Sequence, residues 1–331
     1  MSRAGPLRVV ITGASSGIGA ATAIAFAEQG AHLMLAARDA VGLDDIAARC
    51  REASGIAETR VTDVTDAAAV AGLAHAAREL LGTVDLWFSC VGVGVVGKYQ
   101  DAPIADHTRV IEANLLSHMY EAHAALPIFL AQDRGIWVNM ISMGGFLATP
   151  YAAAYAASKF GLRGFSEALR GELSKKPHIH ICDIYPTFVD TPAVGHAANY
   201  AGAKLSLPPG AIAPEKVARA VVRLARRPRN STFLGTPGFA LKLAQFATPN
   251  ASAAALNGSM ETWARKAERD RDTDGALFDP PTAASGVDGG GRNPALRRTA
   301  AAAGAAAVAG VVVTGALLLL SGSTPEARRR S

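Results

Sequence analysis

Apolar runs and helical stretches alternate along most of this chain. LRVVIT (7–12) reads as a buried strand, followed by glycines and an alanine-rich helix to about Gln29. AHLMLAA (31–37) reads as a second strand, with a helix over 40–53. AETRVTDV (57–64) is a third, with a helix over 66–81, and VDLWFSCV (84–91) a fourth. A long helical stretch covers 104–131. GIWVNMIS (135–142), a helix over 152–174, and HIHICDIY (178–185) give the fifth and sixth strands. A proline-punctuated loop, a helix near 214–226 and the short strand STFLG (231–235) complete the series. Strands that are apolar on both faces and alternate with helices form βαβ units. Right-handed crossovers then wind them into an α/β fold, a doubly wound parallel sheet of seven strands with helices on both faces.

Beyond about residue 240 the pattern changes. The reading divides the chain into a folded domain (1–240), a helical extension (241–275), a flexible linker rich in Gly, Pro, Ser and Asp (276–299), an apolar stretch (300–320) and a basic tail (321–331). From Ala300 to Leu320 no charge occurs, and Val311–Val313 and Leu317–Leu320 add apolar weight. As a helix this stretch crosses a hydrocarbon core of about 30 Å, so a transmembrane anchor is expected there, with the folded domain in the cytoplasm. The competing reading is an Ala/Gly-rich tail on a soluble cytoplasmic protein.

Half of the 331 residues are apolar and 18% are charged, enough for a sizeable core and too few charges for a mostly disordered chain. The net charge is +5, and the basic residues form no stripe interleaved with aromatics, so no nucleic-acid partner is expected. Three scattered cysteines without CxxC exclude a disulfide framework and fit a reducing compartment. The histidines offer no HExxH and no metal site is expected. MSRAGPLRVVITG has no long apolar region, so no cleaved signal peptide is expected.

The turn after the first strand is ITGASSGIGAA, with Gly13, Gly17 and Gly19. Gly13 permits the turn out of the strand, Gly17 lets backbone approach a phosphate, and Gly19 lets the helix pack on the sheet. This is the pattern of a dinucleotide-binding, Rossmann-type loop. A pyrophosphate there meets the free N–H groups at the helix start. The second strand ends Ala36-Ala37-Arg38-Asp39. An acid where Ala37 stands would hold the ribose hydroxyls of NAD(H), whereas the planar fork of Arg38 suits a 2′-phosphate. NADP(H) is therefore expected over NAD(H), with Asp39 pulling the other way.

YAAAYAASKF (151–160) reads as helix, with Tyr151, Tyr155 and Lys159 spaced at four residues and sharing a face. Ser142 lies thirteen residues before Tyr155 at the end of the fifth strand, and Asn114 lies within the preceding helix. Ser–(13)–Tyr-x-x-x-Lys together with the TGxxxGxG loop resembles the classical short-chain dehydrogenase/reductase family over about residues 7–235. The resemblance implies an oxidoreductase acting on CH–OH and C=O groups. Tyr155 would be the general acid and base. Lys159 would lower its pKa and hold the nicotinamide ribose, Ser142 would polarise the carbonyl, and Asn114 would hold a relay water. It also implies that Asp63 and Val64 face the adenine and that Thr191 is near the carboxamide. Ser15, Ser16, Ile18, Gly92, Pro186 and Val189 complete the cofactor contacts, and a homodimer or homotetramer is implied. Tyr151 either packs or lines the substrate pocket. Two departures stand out: Ser89-Cys90-Val91-Gly92 replaces Asn-Asn-Ala-Gly, and Pro186-Thr187 replaces Pro-Gly. The apolar loop at 187–213 and the apolar tail point to a small hydrophobic, membrane-derived substrate. The alternatives are a soluble reductase of small metabolites and a catalytically silent nucleotide-sensing scaffold.

Overall fold

The computed structural model describes residues 5–208, 210–235, 249–281 and 286–291. Its centre is a seven-stranded sheet in the order β3-β2-β1-β4-β6-β7-β9, with every pair parallel. The strands are β1 (Arg8–Thr12), β2 (His32–Ala37), β3 (Ile56–Val61), β4 (Leu86–Ser89), β6 (Gly135–Met140), β7 (Ile179–Pro186) and β9 (Ser231–Leu234). All seven coincide with the apolar runs of the sequence. β3 stops at Val61, short of the expected 64, because the TDVTD that follows turns away to start a helix.

Successive strand side chains alternate between faces, and this alternation divides the core. Val9, Ile11, Leu33 and Leu35 point to one face, under α1 (Gly17–Ala27), α2 (Ala40–Glu52) and α8 (Pro214–Arg226). Val10, Met34, Trp87 and Trp137 point to the other, under α3 (Ala67–Leu81), α5 (Ser117–Ala131) and α6 (Ala153–Glu172). Trp87 and Trp137, on neighbouring strands, stack at 6.4 Å and are fully buried. Aspartates fix two helix starts: Asp39 accepts from Gly42 N–H at 3.0 Å, and Asp66 from Ala68 and Ala69. Asp39 is thereby committed to capping α2.

The single helix expected over 104–131 is interrupted. It consists of α4 (Ile104–Ile111), a π-helical turn at Glu112–Leu116, and α5. A second, two-stranded parallel sheet joins β5 (Val95–Gly97) to β8 (Ala198–Tyr200) beside the short α7 (Ala193–His196). Three-residue strands carry too little periodicity to be read from sequence. The helix expected to include Tyr151 begins at Ala153, and Tyr151 precedes it with φ 66°.

In the extension, α9 (Pro249–Lys266) is followed by chain that returns to the domain. Asn199 and Thr273 form an antiparallel bridge, and Lys204 N–H bonds Glu268 O at 2.8 Å. The described part of the expected linker, 276–281 and 286–291, lies against the folded domain through specific hydrogen bonds, described below. The apolar stretch 300–320 and the basic tail lie outside the described residues. Among the described residues, no helix is long and apolar enough to cross a membrane.

Candidate active site

The order of the sheet reverses between β1 and β4, and in open α/β sheets a ligand crevice forms at such a point beyond the strands' carboxyl ends. The glycine loop leaves β1 here. Gly13 (φ 65°) and Gly17 (φ 53°) occupy left-handed backbone that other residues adopt only with strain. A Cβ on Gly19 would lie 2.0 Å from the Gly13 carbonyl oxygen, so this helix–loop contact admits glycine alone. Ser15 is partly buried in the loop. Ser16, extended, is the N-cap of α1, and Ile18 packs partly on the core.

Arg38 extends from the end of β2. Its guanidinium donates to the carbonyls of Ala276, Leu277 and Phe278 at 3.0, 3.3 and 2.6 Å. Asp63 follows β3. It accepts from Thr65 N–H (2.9 Å), Thr65 Oγ1 (2.7 Å) and Arg109 Nη2 (3.1 Å). Burial pushes its pKa up, but these donors outweigh that and hold it below the usual carboxylate value. Val64 beside it is buried.

The catalytic candidates converge below Gly92. A Cβ on Gly92 would lie 3.7 Å from Lys159 Nζ and 3.8 Å from Asn114 Oδ1. Asn114 sits in the π turn. It accepts from Val93 N–H at 2.7 Å, and its amide donates to Val93 O at 2.9 Å. π turns inside helices recur at functional sites, and here the extra residue aims Asn114 at the strand-end loop. Lys159 is buried, donates to Met140 O at 3.2 Å and lies 5.7 Å from the Tyr155 ring centre. Ser142 Oγ accepts from Gly144 N–H at 3.0 Å and lies beside Tyr155: a Gly144 Cβ would stand 3.0 Å from Tyr155 Cε1 and 3.5 Å from Ser142 Oγ. Thr191 packs where a Gly17 Cβ would stand, 3.1 Å from its own Cβ. Pro186 ends β7, and Val189 bridges to Ile212.

The expected effect of Lys159 on Tyr155 is absent in this state. Burial raises the phenol's pKa, and the Ser142 hydroxyl only partly offsets it. Burial lowers the Lys159 pKa to about 8, with Cys90 opposing. The amine spends its hydrogen bond on a main-chain carbonyl, so Tyr155 stands protonated and ready to donate. Among the residues named from sequence, Gly92, Lys159 and Asn114 meet, as do Gly17 and Thr191, and Ser142 adjoins Tyr155, but the lysine charge does not lower the tyrosine.

Sequence reasoning missed a buried network beneath the loop. Glu121 on α5 accepts from Thr12 Oγ1 (2.9 Å), Trp87 Nε1 (2.8 Å) and Ser89 Oγ (2.9 Å). Thr12 Oγ1 in turn accepts from Cys90 N–H at 3.3 Å. Burial pushes Glu121 up to about 7. His118, three residues earlier, contacts Val91 O and Asn139 Oδ1, both at 2.9 Å, and burial followed by the Lys159 charge lowers its pKa to about 4. A neutral His118 donates to one of these two oxygens, since the Asn139 amide nitrogen is already engaged in donating to Ser166 Oγ at 2.8 Å. Glu121 and His118 hold the strand-end segment where two asparagines are missing. The signal was present: positions 118, 121, 122 and 125 form one helical face, polar at two of four places although facing the core.

The family model for short chain dehydrogenases matches residues 8–200. An uncharacterized oxidoreductase of Staphylococcus saprophyticus is 30% identical over 220 residues, covering 66% of this chain and 91% of its own. One of Bacillus subtilis is 31% identical over 238 residues, covering 71% and 67%. Among solved structures, an alcohol dehydrogenase from the archaeon Thermococcus sibiricus, complexed with 5-hydroxy-NADP, superposes with TM-score 0.63 at 26% identity, covering 70% of this chain and 97% of its own. A metagenomic short-chain oxidoreductase in complex with NADP gives 0.59 at 27%, covering 69% and 96%. This chain belongs to the short-chain dehydrogenase/reductase family of oxidoreductases.

Proposed function

We propose that this protein is an NADP(H)-dependent oxidoreductase that interconverts a carbonyl and an alcohol on a small hydrophobic substrate. The observation that carries the reading is that Ser142 and Tyr155 adjoin at Gly144, with Lys159 Nζ 5.7 Å from the Tyr155 ring and Lys159 and Asn114 meeting at Gly92 beside the glycine loop. The residues fit the cofactor. Arg38 would hold the 2′-phosphate, the Gly17 N–H the pyrophosphate, Asp63 and Val64 the adenine side, and Thr191 the carboxamide. The two NADP-bound relatives agree with this choice. Asp39, the one residue favouring NAD(H), is engaged at the start of α2. When bound, the cofactor supplies or accepts the hydride.

The chain manages the proton. In reduction Tyr155 Oη donates to the substrate oxygen, which Ser142 Oγ orients. Lys159 stabilises the phenolate left behind once the amine turns from Met140 O toward the crevice. Asn114, anchored on Val93, positions the relay that returns a proton to the pair. The apolar cluster against which Tyr155 packs, of Val95, Ala154 and Ala198 with Val93 and Tyr200 and closed by Leu277, supports a hydrophobic substrate. Tyr155→Phe removes the acid and keeps the ring. NADPH consumption with a panel of ketones and aldehydes should fall by roughly 10²–10⁴-fold, the usual worth of a positioned acid. Turnover near wild type would refute the assignment.

The apolar stretch 300–320 supports a tether at the bilayer, where apolar carbonyls concentrate. Deleting residues 295–331 should move activity from the membrane to the soluble fraction; unchanged partitioning would refute the tether.

A further inference from the structure

The chain after α9 comes back over the crevice and uses the donors a dinucleotide needs. Three successive carbonyls, those of Ala276, Leu277 and Phe278, converge on the Arg38 guanidinium, and the Leu277 carbonyl also accepts from Arg109 Nε at 3.2 Å. The Asp279 carboxylate acts on the same guanidinium. Further on, the Gly286 carbonyl accepts from the Gly17 N–H at 3.2 Å, at the start of α1. Gly289 N–H bonds Asp190 O at 3.4 Å and Gly291 N–H bonds Asp190 Oδ1 at 3.1 Å. Side chains fasten the segment as well. Leu277 is 1% exposed, in the cluster of Val95, Ala102, Val110, Ala154 and Ala198 against which Tyr155 packs. Val287 packs on the main core.

We infer that residues 276–281 and 286–291 form an internal ligand of the cofactor crevice, and that this strap and the dinucleotide bind there in mutual exclusion. The inference rests on the cofactor reading above. Its chemistry is mimicry of acceptors. Carbonyl oxygens stand on Arg38 where a 2′-phosphate would, and one stands on the Gly17 N–H where a pyrophosphate oxygen would. An anion makes stronger, charge-assisted bonds to the same donors, so a dinucleotide displaces the strap when its concentration suffices. Until then only the undocked fraction is competent, and the apparent Kd is the intrinsic Kd divided by that fraction. The strap thereby also favours NADP(H). Its release deprives Arg38 of three acceptors, and only a 2′-phosphate restores them.

Two single variants of the full chain loosen the strap at separate points. A Cβ at residue 289 would lie 2.6 Å from the Thr191 carbonyl oxygen, so Gly289→Val cannot seat. Leu277→Ser removes the buried anchor. Phe278→Ala is the control, since that side chain is 43% exposed and its carbonyl contact is retained. NADPH affinity is measured by fluorescence titration. Both strap variants should bind NADPH at least several-fold tighter than the unmodified chain, and the control should match it. Hydrogen exchange on the unmodified chain provides a readout without mutation: saturating NADPH should speed exchange at 276–281 and 286–291. Equal or weaker binding by both variants, or slower exchange of the strap on NADPH addition, overturns the strap while leaving the cofactor reading intact. If none of the four chains binds NADPH, the cofactor reading falls and the strap inference falls with it.

Discussion

Glu121 is the residue on which the missing asparagines turn. Where the family pattern has two amides, this chain has Ser89 and Cys90, and a carboxylate from α5 gathers the Thr12 hydroxyl, the Trp87 indole and the Ser89 hydroxyl instead. Thr12 passes that order to the Cys90 N–H, so Glu121 acts on the crevice through a neighbour. Gln at this position keeps one oxygen to accept from Thr12 and Trp87 and an amide to donate to Ser89. Glu121→Gln should therefore fold and bind NADPH normally. Glu121→Leu leaves three buried groups without their acceptor, at about 1–3 kcal/mol each, and should lower the Tm sharply and raise the KM for NADPH. Intact Tm and KM in the Leu variant would show that the network holds nothing. The Tyr155, Lys159, Ser142 and Asn114 set was legible because chemistry restricts it to fixed types at fixed spacing. Glu121 was marked only by its place beside His118 on an otherwise apolar helical face; which groups it accepts from, only the tertiary fold shows.

At the scale of elements, length decided what could be read. Strands of four to eight residues bounded by glycines and helices stood out, and all seven belong to the main sheet. The π turn at Glu112–Leu116 did not, since one inserted residue leaves the apolar pattern of 104–131 nearly continuous. Tyr151 was misplaced for a related reason. Alanine-rich sequence predicts helix, yet Gly97 N–H bonds the Tyr151 carbonyl at 2.9 Å and holds this residue outside α6 in left-handed backbone. The glycine loop was both legible and tightly constrained. Gly19→Ala places a methyl 2.0 Å from main-chain oxygen, and backbone cannot yield as a flexible side chain does. Either α1 lifts or the turn at Gly13 opens. The variant should lose at least tenfold in NADPH affinity with far-UV circular dichroism unchanged. Wild-type affinity would mean that the loop tolerates the shift.

At the scale of the whole molecule, the buried groups Glu121, His118 and Lys159 contribute to stability in different pH windows. Glu121 is raised to about 7, so between about 4.5 and 7 the folded state holds a proton that the unfolded state has lost, and stability falls as pH rises. His118 is lowered to about 4, so between about 4 and 6.5 the unfolded state holds the extra proton and stability rises with pH. These two windows largely overlap, and the two contributions oppose each other. Lys159 is lowered to about 8, so from about 8 to 10.5 its contribution to stability rises with pH, against the falling contribution above about pH 9 of the buried thiols Cys50, Cys90 and Cys182, which burial raises. The full Glu121 and Lys159 effects are each on the order of 3 kcal/mol, at 1.36 kcal/mol per pKa unit. Denaturant titrations from pH 4 to 10.5 on three chains separate them. Glu121→Gln should unmask the His118 rise below pH 6.5 and gain on wild type as pH climbs from about 4.5 to 7. Lys159→Met should lose ground to wild type as pH climbs from about 8 to 10.5. Parallel profiles for all three chains would mean that burial perturbs neither Glu121 nor Lys159.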